Sequence, residues 1–71
     1  MNILYNTIFV NGEAFNCSRT MSLYDLLIYL GFQIGSIVVE YNKEIINSNQ
    51  FSNIVLVDRD RLEVITIVGG G

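Results

Sequence analysis

The 71-residue chain is long enough for one small domain and too short for two, because a single core needs about 50 residues or more. Four Lys and Arg against seven Asp and Glu leave a formal charge of −3, with no surplus of cation to neutralise nucleic-acid phosphates or an anionic lipid surface. Histidine is absent and cysteine occurs once, which removes the commonest general base, an internal disulfide, an iron–sulfur cluster and a cysteine-based zinc site, and with them most self-contained catalysis.

The chain is nonetheless 51% hydrophobic and only 15% charged, with a mean hydropathy of +0.42. At this size, without disulfide or metal staples, so much apolar surface has to go inside the domain or onto a partner, so an exposed apolar face is expected. The longest apolar stretch, from Leu26 to Phe32, is interrupted by Gly31 and followed by Gln33. It falls well short of the ~20 residues that cross a bilayer. The first six residues carry no cationic segment and no long apolar core, so the protein is expected to work where it is made, in a reducing compartment. Ten Ile and eight Asn suggest an AT-rich genome, bacterial or plastid, which points to a bacterial cytoplasm or a plastid stroma.

Thr7-Ile8-Phe9-Val10 is β-branched and aromatic and runs into Asn11-Gly12, the strongest two-residue hairpin signal. Glu13-Ala14-Phe15-Asn16-Cys17 then alternates Phe15 and Cys17 against Ala14 and Asn16, predicting a β-hairpin. Residues 3–5 either extend its first strand or fray. Ser22-Leu23-Tyr24-Asp25 matches a helix-start pattern, Leu23, Leu26, Leu27 and Leu30 fall on one helical stripe, and Gly31 stands where a left-handed C-cap is wanted. Ser36-Ile37-Val38-Val39-Glu40-Tyr41 reads as a third strand, after which Glu44-Ile45-Ile46 either pairs or continues. Asn47-Ser48-Asn49-Gln50 reads as loop, with Phe51 as its anchor. Ile54-Val55-Leu56-Val57 reads as a brief fourth strand, Asp58-Arg59-Asp60 as a turn that asks Arg59 for a positive φ, and Arg61 through Val68 as the last and strongest strand. The order β-β-α-β-β-β predicts an α+β fold of the β-grasp, ubiquitin-like kind. Its mixed sheet of four to five strands packs on one main helix, with the last strand at the sheet centre beside the first. This domain is expected to span residues 1–68.

Gly69-Gly70-Gly71 is not needed by that fold. Glycine loses more conformational freedom on ordering than any other residue, so three in succession continue a strand poorly. The run is either a frayed end or a flexible arm, residues 69–71, presenting its terminal carboxylate. An arm without Cβ atoms lies fully extended in a narrow channel and reaches about 10 Å at 3.3–3.6 Å per residue. The carboxylate is ionised at neutral pH and is a poor electrophile. Another protein would have to activate it, most economically with ATP as an acyl-adenylate.

The Asn11-Gly12-Glu13 hairpin, the helix from Ser22 to Leu30, the run Val38-Val39-Glu40-Tyr41-Asn42-Lys43-Glu44-Ile45-Ile46, the turn Asp58-Arg59-Asp60 with Leu62-Glu63-Val64, and the glycine end together resemble the ThiS family of ubiquitin-like sulfur carriers. The likeness extends from Thr7 to the C-terminus, and the first six residues read as a short extension. It implies a protein co-substrate and not an enzyme, with no catalytic residue, bound cofactor or metal of its own. Gly71 would be adenylated by an E1-like, ATP-dependent adenylyltransferase and converted by a persulfide sulfur donor to a thiocarboxylate. That thiocarboxylate would supply the thiazole sulfur of thiamine to thiazole synthase. Gly69, Gly70 and Gly71 would thread into the partners' active sites. Many members end in two glycines, whereas this chain ends in three.

Cys17 reads either as the donor thiol or as a buried structural cysteine, and the absence of a basic neighbour other than Arg19 favours the second. Asp58, Asp60 and Glu63 read as turn and solvated strand charges, since an oxygen-ligand cation site needs more donors. Two other functions fit the fold. One is a small-subunit-type carrier for molybdopterin synthesis, which often has proline before its glycines where this chain has Ile67-Val68. The other is an interaction module with an inert tail.

Overall fold

The computed structural model describes residues 4–67; the expected glycine arm, Gly69, Gly70 and Gly71, lies outside them, as does Val68. Strand β1, Tyr5–Val10, and β2, Glu13–Ser18, form the hairpin that Asn11-Gly12 announces. Both turn residues have positive φ, 51° and 85°, the geometry whose twist matches the flanking strands and which glycine adopts without a Cβ clash. Tyr5 and Asn6 pair with Ser18 and Cys17, so the start of the chain extends β1 at least that far.

Helix α1, Leu23–Tyr29, begins with a full capping box: the Asp25 amide donates to Ser22 Oγ at 3.0 Å, and the Ser22 amide donates to Asp25 Oδ2 at 3.3 Å. It ends at Gly31, φ 87°, where the Gly31 amide donates to the Ile28 carbonyl and the Phe32 amide to that of Leu27, satisfying two orphan carbonyls. Strand β3, Ile37–Tyr41, turns through Asn42 and Lys43, both at positive φ, into β4, Glu44–Ile46. Strand β5 is Arg61–Thr66.

The sheet order is β2-β1-β5-β3-β4. Strand β5 lies in the centre, parallel to β1 and antiparallel to β3, as the β-grasp plan requires. One sheet face, carrying Ile8, Val10, Cys17, Ile37, Val39, Leu62 and Val64, closes on Leu23, Leu26 and Leu27 of α1, with Phe51 and Leu56 filling the side. No helix among the described residues is long and apolar enough to cross a membrane.

The structure corrects three expectations. Ile54 through Val57 is no ladder strand: it makes a single bridge, Ser22 to Val55, while the Leu23 amide donates to Ile54 and the Leu56 amide to Met21. Its alternation is real, with Leu56 buried between exposed Val55 and Val57, but its partner is the entry to the helix. The polar run expected as loop is a 3₁₀ segment, Ser48–Asn53, whose Phe51 is the expected anchor at 1% exposure.

The third correction is Asp60, which is not a solvated turn charge but is buried, at 4% exposure. Its carboxylate accepts from the Tyr41 hydroxyl at 2.6 Å, the Val57 amide at 2.8 Å and Asn42 Nδ2 at 3.1 Å. Asn42 returns the favour through Oδ1, which accepts from the Arg61 amide at 2.8 Å. The turn around it is the strained one the sequence implies, with Arg59 at φ 72° and its amide donating to the Thr7 carbonyl at 2.7 Å.

Two outcomes follow from this node. Asp60→Ala leaves three donors without their acceptor and lowers stability by about 2–4 kcal/mol, read as a drop in urea midpoint at unchanged slope. Burial, then the hydrogen bond and charge of Asp60, push the Tyr41 phenol up from its ordinary value near 10 to about 12. Below pH 10 the phenol is protonated in both states and its stabilisation is intact. As pH rises from about 10 to about 12 the unfolded chain releases that proton while the folded one keeps it, so stability falls across this window. Urea unfolding at stepped pH should show that part of the fall vanish in Tyr41→Phe.

Candidate functional site

The residues expected to react lie outside the described ones, and the strand that leads toward them lies within. Strand β5 passes through the middle of the sheet and continues through Ile67, whose amide donates to the Ser36 carbonyl at 2.7 Å. The root of the expected arm is therefore tied to the 3₁₀ segment Ile34–Ser36 that precedes β3.

On its other side β5 meets β1 for only two residue pairs, Phe9 with Arg61 and Val10 with Leu62, before the hairpin carries the chain away. Asn11 extends the contact with its side chain. Its Oδ1 accepts from the Val64 amide at 2.7 Å and its Nδ2 donates to the Val64 carbonyl at 3.2 Å, so a side-chain amide stands in for one more residue of parallel strand. Sequence reasoning used Asn11 only as a turn residue. Its link to β5, 53 residues away, leaves no local signal.

The sheet face opposite α1 is open. Registers place Tyr5, Thr7 and Phe9 of β1, Val38 and Glu40 of β3, Ile45 of β4 and Arg61, Glu63 and Ile65 of β5 on it. Ile65 is 61% exposed and Ile45 71%, part of the apolar surface that finds no place in the core. Glu40 faces Glu63 across the β3–β5 ladder, while the Arg61 guanidinium lies 4.7 Å from the centre of the Phe9 ring.

Nothing among the described residues forms a catalytic constellation. They enclose no pocket, and they hold no group of three His, Cys, Asp or Glu side chains able to share a metal ion. Asp60 is committed to Tyr41, Asn42 and Val57, Asp58 Oδ1 accepts from the Thr7 amide at 2.7 Å, and Glu63 sits on the open face. What the described residues supply is a sheet whose central strand leads toward the C-terminus.

Comparison with known proteins agrees on what kind of protein this is. Residues 8–71 match the ThiS family. The ycf40 protein of Pyropia yezoensis is 49% identical over 65 residues, 92% of either chain, and the sulfur carrier protein ThiS of Bacillus subtilis is 38% identical over 63 residues, 87% of this chain and 96% of that one. A thiazole synthase of Magnetococcus marinus is 36% identical over 64 residues, which are 90% of this chain but 20% of the synthase. Among solved structures, the thiamine biosynthesis protein ThiS of Geobacter metallireducens superposes with a TM-score of 0.77 at 26% identity, over 92% of this chain and 99% of that one.

Cys17 stands apart from the arm's root, on β2 at the far side of β1, with its side chain in the core at 3% exposure. Burial pushes its thiol above the ordinary value. A thiol that is both covered and protonated attacks slowly. Ellman's reagent should therefore label Cys17 at least about tenfold more slowly in the folded protein than in urea, and a fast native reaction would return this thiol to the candidate list.

Proposed function

Because this chain belongs to the ThiS family of sulfur carriers for thiamine biosynthesis, we propose that Gly71 is the atom-carrying end of a two-part device, a rigid β-grasp support and a glycine arm. In the first step the Gly71 carboxylate attacks the α-phosphorus of ATP on an E1-like adenylyltransferase, releasing pyrophosphate and leaving an acyl-adenylate. The mixed anhydride makes the carboxyl carbon electrophilic. A persulfide then attacks that carbon, AMP departs, and an acyl persulfide remains. A second thiol attacks the outer sulfur and takes it away as a disulfide, leaving the thiocarboxylate on Gly71. Thiazole synthase takes its sulfur from there, and the carrier chain is a co-substrate throughout.

The observation that supports this reading best is the placement of β5. Strand β5 is paired with β1 at its start and with β3 along its length, and Ile67 is tied to Ser36, so the last described residue before the glycines is anchored on the β3 side. Lack of side chains suits residues 69–71 to a narrow channel, and ATP is used by the activating partner without a cofactor site on this chain. A bacterial cytoplasm or plastid stroma, where thiols stay reduced, suits a persulfide donor.

Mass analysis of the protein from its own host tests the modification: a species heavier by the difference between sulfur and oxygen, localised to Gly71, is expected. Arm length tests the geometry. Deleting Gly71 withdraws the carboxylate by about 3.5 Å, and adding one residue displaces it the other way. Misplacement by about 1 Å already costs on the order of a hundredfold when reacting groups must align. Adenylation by the cognate enzyme should be at least tenfold slower for both altered chains. Equal rates for all three would defeat the carrier reading and favour an inert tail, while equal rates for native and shortened chains alone would make Gly70 a competent end.

A further inference from the structure

A glycine arm offers a partner no side chain to hold. Its peptide N–H and C=O groups are the only handles, and glycine resists ordering more than any other residue. A partner that must fix residues 68–71 in one extended line, about 13–14 Å long, therefore needs a row of backbone hydrogen bonds with a defined starting register.

Strand β5 carries that starting register. Its residues alternate between neighbours. The Asn42 amide donates to the Arg61 carbonyl and the Ile67 amide to the Ser36 carbonyl, so the odd-numbered residues bond toward β3. The even-numbered residues bond toward β1: the Asn11 amide donates to the Leu62 carbonyl, and Val64 uses both backbone groups on the Asn11 side chain. Thr66 is next in this series. Its pair with Ile37 is of the kind that exchanges no ladder bonds, β1 has already turned away, and among the described residues its N–H has no partner. Thr66 is exposed, and Asn11 closes the paired part of the edge one step before it. The outer edges of β2 and β4 are also open, but neither leads to the arm.

We infer that thiazole synthase adds an extended segment of its own to the open edge of β5 at Thr66, beside the Asn11 side chain. This inference rests on the carrier reading above. Thiazole synthase is favoured as the occupant because a relative of that name carries, in one polypeptide, a stretch similar to this chain. A tethered carrier segment meets its synthase at high effective concentration, whereas a carrier on a chain of its own has to supply a contact of its own. Strand addition at Thr66 supplies that contact on the strand that leads toward the glycines.

The test uses the full chain and the thiazole synthase from the same source. Amide hydrogen exchange should show the Thr66 N–H exchanging rapidly in the free protein and at least tenfold more slowly with the synthase, while amides of α1 keep their rates. Thr66→Pro removes that N–H and none that bonds β3, so melting should change little while affinity for the synthase falls at least tenfold. Affinity equal to the unsubstituted chain, an unprotected Thr66 in the complex, or no complex at all would overturn the inference. If Thr66→Pro does not fold, the exchange measurement on the unsubstituted chain decides. The two readings fail separately. Sulfur mass on Gly71 with Thr66 unprotected overturns strand addition alone, and Thr66 protection without sulfur mass overturns the carrier chemistry and supports the contact.

Discussion

The buried carboxylate of Asp60 is the constraint on which the rest of the molecule depends. A charge taken out of water is tolerated only where donors surround it, and here the donors come from β3, from the turn after β3 and from the segment that leads into β5. Together they fix the residue at which β5 begins, since the Asp60 carbonyl accepts from Phe9 of β1 while Asn42 takes the Arg61 amide. Once that start is set, the alternation of the strand decides which groups face β1 and which face β3. The core positions Leu62 and Val64, the Asn11 clamp and the open N–H of Thr66 are all counted from the same origin.

Some of this was legible in the sequence because its causes are local. Asn11-Gly12 sets a hairpin by its own backbone preferences, and Ser22 with Asp25, the leucine stripe and Gly31 define a helix from start to stop within ten residues. The long last strand fell to the centre by the logic of connections. Residues 54–57 were misread because alternation reports a half-buried extended segment and says nothing of what it pairs with; the partner is the helix entry, more than thirty residues upstream. Asp60 and Asn11 were read as turn residues for the same reason. Each is a turn residue, and each also holds a distant strand, a second role that leaves no mark nearby. The glycine end was legible as a pattern only, and it lies outside the described residues.

The fold also shows where the apolar composition goes. The described residues enclose no pocket, and the single cysteine is buried in the core. In the proposed carrier role the chain has to supply a stable body, a surface that other proteins can cover and an end they can use. The exposed apolar residues are shared between the open sheet face, with Tyr5, Ile45 and Ile65, the outer side of α1, with Tyr24, Ile28 and Tyr29, and the segment with Val55 and Val57.

The central place of β5 has a consequence for how the protein is made. During synthesis the chain emerges from its N-terminus, so β1, β2, α1, β3 and β4 are all complete before the strand that joins the two halves of the sheet exists. Until then β1 and β3 lack the neighbour that lies between them, and the core lacks Leu62 and Val64. The contacts that close the fold are among the longest in sequence, which makes folding wait for them. A chain cut short before β5 would thus lack its centre as well as its end, and would stay open to proteases instead of competing as an inert decoy.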